Sequence, residues 1–349
     1  MLVSLQLIPE QPAEELLEAV RLADRLGFHA CYSADEIYHK DAWLLLAAAA
    51  RQTEQLRLGP CVSSAFLRDP AQVAQLAATL DELSSGRAEV VLGIGNIALL
   101  EQYGITWRGT RPLHRLREAL EVIRTLLDTG AIDHSGDFFS YASVTTAARP
   151  VQARLPLKIG AMGGPRSMEL AGEISEGLHT ACAYSEEALD YAATHFRAGA
   201  ERAGRDPSEL DLGCSLLGAV GPDGEAARRA GRLLAAFYIP SMPPALLARH
   251  GIDSADVEPI NLAFAAGDIE QALAATPDEL ADRIVLAGEP DEWVAYLNGP
   301  YAAAGFTHAL VSFADPFTVK AWTGHDVAGV PSYAEQVRLL GEHVLPLLA

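Results

Sequence analysis

The feature that most constrains this chain is a regular alternation of short apolar runs with longer amphipathic segments. Such alternation is typical of repeated βα units, whose strands lie side by side in a parallel sheet. Eight runs have the length and composition of buried strands: Leu2 to Ile8, His29 to Ala34, Leu58 to Ser63, Ala88 to Gly93, Leu157 to Met162, Leu178 to Ala183, Leu210 to Val220 and His308 to Phe313. Because eight parallel strands close a barrel, the sequence predicts an α/β fold of the TIM (βα)8 type.

The segments between these runs have a helical period and recognisable ends. Asp69 and Pro70 suit the N-cap and first position of one helix, and Gly86 suits its end. Residues 115 to 127 repeat the pattern before Gly130, and Ser185 begins a third such segment that ends at Gly204. We expect these helices to surround the barrel.

Two regions exceed a minimal βα repeat. Residues 131 to 156 indicate a small hairpin or excursion between the fourth and fifth units. Residues 222 to 285 contain extra helices and are longer than a connecting loop. We expect both to lie over the C-terminal mouth of the barrel, with residues 1 to 349 forming a single domain.

The composition limits the kinds of partner that the chain is expected to bind. The chain carries 26 basic and 46 acidic residues, a formal charge of −20, which disfavours nucleic acid and anionic membrane surfaces. Its apolar stretches fall short of the roughly 18 residues that a membrane span needs. The first residues show no secretory signal, so we expect a cytoplasmic protein whose four cysteines are reduced core thiols: Cys31, Cys61, Cys182 and Cys214.

Two glycine-rich turns follow predicted strands, where a barrel of this kind places its functional groups. The turn Ala161, Met162, Gly163, Gly164 and Pro165 leads into a helix, whose backbone N–H groups and dipole favour a phosphate. An ordinary tight turn with proline at the first helical position is the alternative. The other turn, Gly93-Ile94-Gly95-Asn96, lets a ligand pass close to the backbone but lacks the third glycine of a dinucleotide fingerprint.

A dense polar set follows the second strand and includes Asp35, Glu36 and His39. These side chains are candidates for hydrogen bonding or proton transfer to a bound heterocycle, and the alternative is that they cap and charge a helix start. The third strand ends in small polar residues, including Ser63, beside which a flat ring could lie.

Metal and serine chemistry find no support in the sequence. The ten histidines include no HxH or HExxH pair, and neither zinc spacing nor a Gly-x-Ser-x-Gly elbow occurs. His179 and His308 are interpreted as core or wall residues of strands. No metal site is expected.

Four segments resemble the luciferase-like flavin and deazaflavin superfamily, in particular its methylenetetrahydromethanopterin reductase subgroup. They occur in the family's order: PCVSSAFLRDPAQVAQLAATLDELSSGRAEVVLGIG (60 to 95), KIGAMGGPRSMELAGEISEG (158 to 177), AERAGRDPSELDL (200 to 212) and TPDELADRIVLAGEPDEW (276 to 293). The glycine turn followed by the ELAGE helix is the most specific of them.

The resemblance implies a mouth that binds coenzyme F420 for hydride transfer, and it implies a homodimer. It places the cofactor ring against the third strand, near Asp35 and Ser63, and the phosphate at the turn from Ala161 to Pro165. It further implies a non-prolyl cis peptide between Cys61 and Val62. Gly93, Gly95 and Asn96 complete the expected cofactor site.

The chain departs from the reductase at both acids beside the substrate. Gln6 stands where the reductase has a glutamate, and Ala98 lies near the expected place of the second acid. We therefore expect Glu36, His39 or a water held by Gln6 to handle the proton. The first hypothesis is an F420-dependent oxidoreductase that transfers a hydride between the deazaflavin and a C=C, C=N or C=O bond of a small substrate, in the reductive direction. The alternatives are an FMN-dependent monooxygenase and an inactive cofactor-binding paralogue.

Overall fold

The strands of the computed structural model, which describes residues 1–107, 109–181 and 184–349, form one parallel barrel, one added strand and one hairpin. Their bounds are β1 Leu2–Leu7, β2 Ala30–Ser33, β3 Arg57–Ser64, β4 Val90–Gly93, β5 Ala131–Ser135, β6 Ser140–Thr145, β7 Leu157–Gly160, β8 Gly177–Ala181, β9 Asp211–Val220, β10 Leu286–Gly288 and β11 His308–Phe313.

Eight of these strands close the barrel. Parallel pairing runs in the order β1, β2, β3, β4, β7, β8, β9 and β11, and β11 pairs again with β1. The register shifts between Cys61 and Ser63 of β3, where that strand meets β4. The predicted (βα)8 barrel is confirmed, and each of its strands overlaps a predicted run. Cys182 and Ala183, at the end of the sixth run, lie outside the described residues.

Helices connect and surround the strands. Their bounds are α1 Ala13–Leu26, α2 Ala42–Ala50, α3 Pro70–Leu83, α4 Ile97–Gln102, α5 Pro112–Thr129, α6 Pro165–Ile174, α7 Glu186–Arg202, α8 Gly224–Tyr238, α9 Pro244–Arg249, α10 Ser254–Ala266, α11 Ile269–Ala274, α12 Asp278–Ala281, α13 Pro290–Tyr296, α14 Pro316–Thr323 and α15 Tyr333–Leu339. In the described part of the chain, no helix combines the length and apolar character that crossing a membrane requires.

The structure confirms three of the predicted helix ends. Asp69 accepts a hydrogen bond from the Ala71 backbone at the start of α3, and Ser185 accepts one from Ala188 at the start of α7. Gly130 follows α5 at a φ of 74°. A side chain is disfavoured in this left-handed region, so glycine suits the stop.

The long insertion is helical, as predicted, since α8 to α12 lie within residues 222 to 285. Strand β10 follows it and was not predicted. It pairs in parallel with the last three residues of β9, Gly218 to Val220, and so adds a short strand beside β9 outside the closed ring of eight. A run of three residues is too short to show the periodicity of a strand.

The hairpin of β5 and β6 confirms the predicted excursion between the fourth and fifth barrel units, and its segment contacts α3 and α5. The Glu118 carboxylate, on α5, accepts backbone N–H groups of residues 137, 138 and 139. Asp81, on α3, accepts those of Val151 and Gln152. Satisfying these buried carboxylates fixes the excursion along the outer flank of the barrel.

A polar network fills the barrel interior near the start of its strands. The Lys158 ammonium lies 3.1 Å from Glu89 and 2.6 Å from Asp211. Asp211 also lies 2.9 Å from His179 and from His308. A small apolar cluster follows further along the strands, and it consists of Ala30, Tyr32, Cys61, Val91, Leu310 and the partly buried Val62. The described cysteines, Cys31, Cys61 and Cys214, are buried.

Candidate active site

The C-terminal mouth begins with Gln6 near the end of β1. Its Nε2 donates to the Cys61 carbonyl over 2.8 Å. Its Oε1 is buried and has no hydrogen-bond partner among the described residues. A buried acceptor without a partner costs free energy, so this oxygen is a candidate to accept a hydrogen bond from a bound molecule. The peptide from Cys61 to Val62 is cis, which confirms that prediction.

The Val62 side chain explains two of the glycines. A Cβ on Gly93 would lie 3.0 Å from a Val62 methyl carbon, and one on Gly160 would lie 2.1 Å from the other. These positions therefore need glycine to accommodate Val62, whereas the sequence suggested room for a ligand at Gly93. Gly95 needs glycine for a different reason, since its φ is 93°. Asn96 is exposed immediately before α4.

Asp35, just beyond β2, lies in a closed set of protein donors. Arg68 binds its carboxylate with two nitrogens at 2.6 and 2.7 Å. Ser63 donates over 2.7 Å and the Trp43 indole over 3.1 Å. Only 5 % of Asp35 is exposed. These bonds tie the loop after β2 to the end of β3.

Glu36 and His39 lie beside each other in the loop after β2. The Glu36 carboxylate is 3.8 Å from Nε2 of His39, and Glu10 lies 3.7 Å from the other ring nitrogen. Burial, with the Asp35 charge, raises the pKa of Glu36. Burial lowers the pKa of His39. The raised pKa brings the Glu36 carboxyl closer to neutral pH, where it can serve as a proton carrier, whereas the lowered pKa keeps the His39 imidazole uncharged there.

The predicted phosphate turn follows β7. Gly164 is the N-cap of α6, and Pro165 occupies its first turn. A Cβ added to Gly163 meets no atom within 4 Å, so open space adjoins the backbone there. Ser167 closes the turn by donating to the Gly164 carbonyl over 2.7 Å. Met162 is 42 % exposed beside it.

Sequence reasoning missed Arg249, which reaches this turn from the end of α9. Its guanidinium donates to the Gly163 carbonyl over 2.7 Å and lies 3.7 Å above the Tyr191 ring. The insertion thereby brings a cation to the start of α6. The contact joins residues 86 positions apart in the chain. No local motif marks it.

Aromatic side chains at the mouth were also missed. The Trp322 indole, on α14, donates to both carboxylate oxygens of Glu10 over 2.9 Å. Its ring stacks on Phe237 of the insertion, with centroids 5.4 Å apart. Trp322 therefore contacts Glu10, whose carboxylate lies 3.7 Å from the His39 ring.

One buried group has the composition of a metal site. His179, Asp211 and His308 each offer one ligand atom, and these atoms lie within 4.8 Å of one another. The Lys158 ammonium already lies 2.6 Å from the shared Asp211 oxygen. It neutralises the charge that a metal ion would need, so the two histidines act as wall residues of the barrel.

Comparisons with known proteins agree with this architecture. The chain is 28 % identical over 352 residues to the 5,10-methylenetetrahydromethanopterin reductase of Archaeoglobus fulgidus, with all of both chains covered. It is 29 % identical over 354 residues to the F420-dependent glucose-6-phosphate dehydrogenase of Microbacterium testaceum, covering 96 % of this chain and 93 % of the relative. The structure of the coenzyme F420 dependent tetrahydromethanopterin reductase from Methanopyrus kandleri superposes with a TM-score of 0.89 at 25 % identity, covering 99 % of each chain.

The family assignment follows from a match across most of the chain. The sequence model of the luciferase-like monooxygenases matches residues 3–308, from the first barrel strand to the start of the last. The protein is therefore a member of the luciferase-like monooxygenase family.

Proposed function

We propose that this protein is an F420-dependent oxidoreductase that reduces a C=C, C=N or C=O bond of a small substrate. The observation that carries the proposal is the buried Oε1 of Gln6, which has no partner among the described residues. A deazaflavin ring carries N–H donors that suit this oxygen. The similarity to F420-dependent relatives over nearly the full chain supports the same cofactor.

The mouth offers a place for each end of such a cofactor. The phosphate would lie at the turn from Ala161 to Pro165, where the open side of Gly163 leaves room and Arg249 supplies charge. The ring would lie along the end of β3, by Cys61, Val62 and Ser63. Asp35 would hold that strand end through Ser63, and Gly93, Gly95 and Asn96 would border the ring from the neighbouring strand.

The bound deazaflavin would supply the hydride. The substrate needs one proton as well, and Glu36 is the side chain best suited to hold it. Its pKa is raised by burial, and the uncharged imidazole of His39 lies 3.8 Å from its carboxylate. Gln6 cannot ionise, so its part is to orient the Cys61 carbonyl and a ligand N–H.

A homodimer belongs to the same proposal. The resemblance to the family and the frequency of two-fold assemblies among soluble oligomers support it. Sedimentation of the purified protein at several concentrations measures this directly.

A single substitution tests the cofactor site. A Cβ added at Gly163 meets no protein atom within 4 Å, so Gly163→Leu puts a side chain into the open space beside the turn. We expect F420 affinity to fall by at least about ten-fold, the scale of one displaced phosphate contact. Binding of the phosphate-free deazaflavin fragment should not change, because only the phosphate competes with the new side chain. Equal F420 affinity in wild type and variant would refute the phosphate position.

A second candidate function follows from the family description itself, which is that of monooxygenases. Such an enzyme would bind FMN and consume oxygen. The Gly163→Leu experiment does not separate the two, because FMN also carries a phosphate. Oxygen uptake with reduced FMN would favour the monooxygenase, and cofactor binding without turnover would favour an inactive paralogue.

A further inference from the structure

The guanidinium of Arg115, on α5, lies among three aromatic rings. Its central carbon is 4.9 Å from the centroid of the Phe66 ring and 4.7 Å from that of Phe139. The Phe138 ring is 5.9 Å away. Phe66 follows β3, whereas Phe138 and Phe139 belong to the hairpin of β5 and β6. An aromatic face attracts a cation most strongly where water is partly excluded, so these contacts join the hairpin, α5 and the end of β3.

Arg115 also binds the backbone of the turn that follows β3. Its Nε donates to the Ala65 carbonyl over 2.9 Å. The Ala65 N–H donates to the Gly93 carbonyl over 3.0 Å, and the Ser64 hydroxyl donates to the Ile94 carbonyl over 2.6 Å. The segment that Arg115 holds is therefore bonded on its other side to the glycine turn after β4.

The hairpin is fixed over Arg115 by Glu118, which lies one turn further along α5. The Glu118 carboxylate accepts the backbone N–H of Phe138 at 3.1 Å and that of Phe139 at 2.8 Å. A ring nitrogen of His134 lies 3.1 Å from the same carboxylate. Because side chains three residues apart share a face of a helix, Glu118 places the two rings beside the Arg115 guanidinium.

The turn after β3 is thus held by two arginines. Arg68 donates its backbone N–H to the Ser64 carbonyl over 3.0 Å, and its guanidinium binds Asp35, which accepts a hydrogen bond from Ser63. Arg68 joins the turn to the loop after β2, whereas Arg115 joins it to the hairpin. A site that must hold a flat ring in one place needs such support around the groups that touch the ring.

We propose that Arg115 is a positioning residue for the cofactor ring and that the hairpin supports it in this role. The inference rests on the proposed F420-dependent function. Arg115 would act through the Ala65 carbonyl on the end of β3 and on the glycine turn after β4, which are the two segments that the ring would contact. A hairpin that only packed against the helices would leave cofactor binding unchanged when Arg115 is replaced.

Arg115→Met tests the role with two ligands. Methionine keeps an apolar side chain against the rings but removes the charge and the Nε–H group. If the turn then adopts its binding arrangement for about one fifth of the time, the apparent dissociation constant of F420 rises about five-fold. The phosphate-free deazaflavin fragment should lose affinity by the same factor, because Arg115 acts at the ring end of the cofactor. Absorbance titration measures both constants.

Hydrogen exchange tests the same support in the protein without cofactor. The backbone N–H groups of Ala65, Phe66 and Leu67 all donate within the turn or to β4. In Arg115→Met, a peptide covering residues 62–68 should exchange at least about ten-fold faster than in wild type, because these bonds open more often.

Three further variants locate the effect. Arg115→Lys should recover part of the affinity, since an ammonium can still lie against the rings. Phe139→Leu keeps apolar volume but removes one aromatic face, so it should weaken binding of both ligands about two-fold. Arg111→Met is the matched control, because Arg111 lies 5.2 Å from the Phe138 ring but has a 55 % exposed side chain that pairs with Asp137. It should change neither affinity nor exchange.

The outcomes separate the inference from the function on which it rests. Absence of F420 binding by wild type would overturn the proposed function and, with it, the cofactor role of Arg115. Binding by wild type with equal affinity in a folded Arg115→Met would overturn the inference alone, even if thermal melting shows a lower Tm. So would a loss confined to intact F420, or unchanged exchange of residues 62–68. Should Arg115→Met fail to fold, Phe139→Leu and Arg115→Lys provide the same comparison.

Discussion

Replacing Asp35 with asparagine tests whether this carboxylate positions the site or contacts the cofactor. The substitution keeps size and shape and removes the charge. Among the described residues, Arg68, Ser63 and Trp43 donate four hydrogen bonds to Asp35. An amide offers one acceptor oxygen, and its NH2 group would face N–H or O–H donors.

The burial of the ion pair sets the expected loss in the free energy of unfolding. Breaking a fully buried ion pair costs about 3 to 5 kcal/mol. The Arg68 side chain is 28 % exposed and also pairs with Asp41, so water and the second carboxylate offset part of the loss. We expect a loss of about 2 to 3 kcal/mol. At roughly 2 cal/mol/K of unfolding entropy per residue, this lowers Tm by about 3 to 4 °C for a chain of this length.

Asp41→Asn is the matched control. Asp41 binds the same arginine at 2.9 Å, but its side chain is 39 % exposed. Asparagine also preserves its N-cap bond to the Leu44 backbone. We expect less than about 1 kcal/mol from it. Calorimetry gives Tm, and absorbance titration gives F420 affinity.

A positioning role for Asp35 predicts two results together. Asp35→Asn should lower Tm as stated and weaken F420 binding only modestly, because its action on the ring passes through Ser63 and β3. An unchanged Tm with F420 binding lost would show instead that Asp35 contacts the cofactor directly, and would refute the positioning role.

Four further predictions concern the cofactor, the proton and the barrel interior. Arg249→Ala should weaken F420 binding about ten-fold while sparing the phosphate-free deazaflavin; equal losses for both would remove the arginine from the phosphate site. Wild type should reduce methylenetetrahydromethanopterin poorly, whereas Gln6→Glu should gain activity with reduced F420, and efficient wild-type turnover would contradict this. Because its pKa is raised, the Glu36 carboxyl should keep its proton to higher pH than an ordinary glutamate, so activity should fall as pH rises through that pKa. Glu36→Gln should lose this pH dependence, and an identical profile in both proteins would assign the proton elsewhere. Burial lowers the pKa of His179 from 6.5 to about 4, so its stabilising contribution is present above pH 6.5 and is lost as the pH falls toward 4. Burial lowers the pKa of His29 in the same way, so urea unfolding should show at least about 2 kcal/mol less stability at pH 5 than at pH 7, and a flat profile would contradict the buried neutral imidazoles.

The sequence was most informative where local pattern and global fold agree. The eight barrel strands are buried on both faces and read as continuous apolar runs, so their existence could be predicted. Asp69 and Ser185 act as caps through bonds that span only a few residues. These features depend on residues that are neighbours in the chain, so they can be predicted from the sequence.

The parts it missed depend on contacts between distant residues. Arg249 reaches Gly163 across 86 positions, and Trp322 reaches Glu10 across 312. The position of the hairpin depends on Glu118 and Asp81, whose buried carboxylates attract backbone donors from another element. Gly93 was singled out correctly as a close approach, but the approaching group is Val62 of the same protein. The glycine therefore predicted a close approach, but it did not identify the group that approaches.

The central claim is that this mouth binds a deazaflavin. The direct measurement is absorbance titration of the purified protein with F420 and, in parallel, with FMN. We predict saturable binding of F420 at one site per chain, with FMN weaker by at least about ten-fold. Tighter binding of FMN, or binding of neither cofactor, would contradict the account.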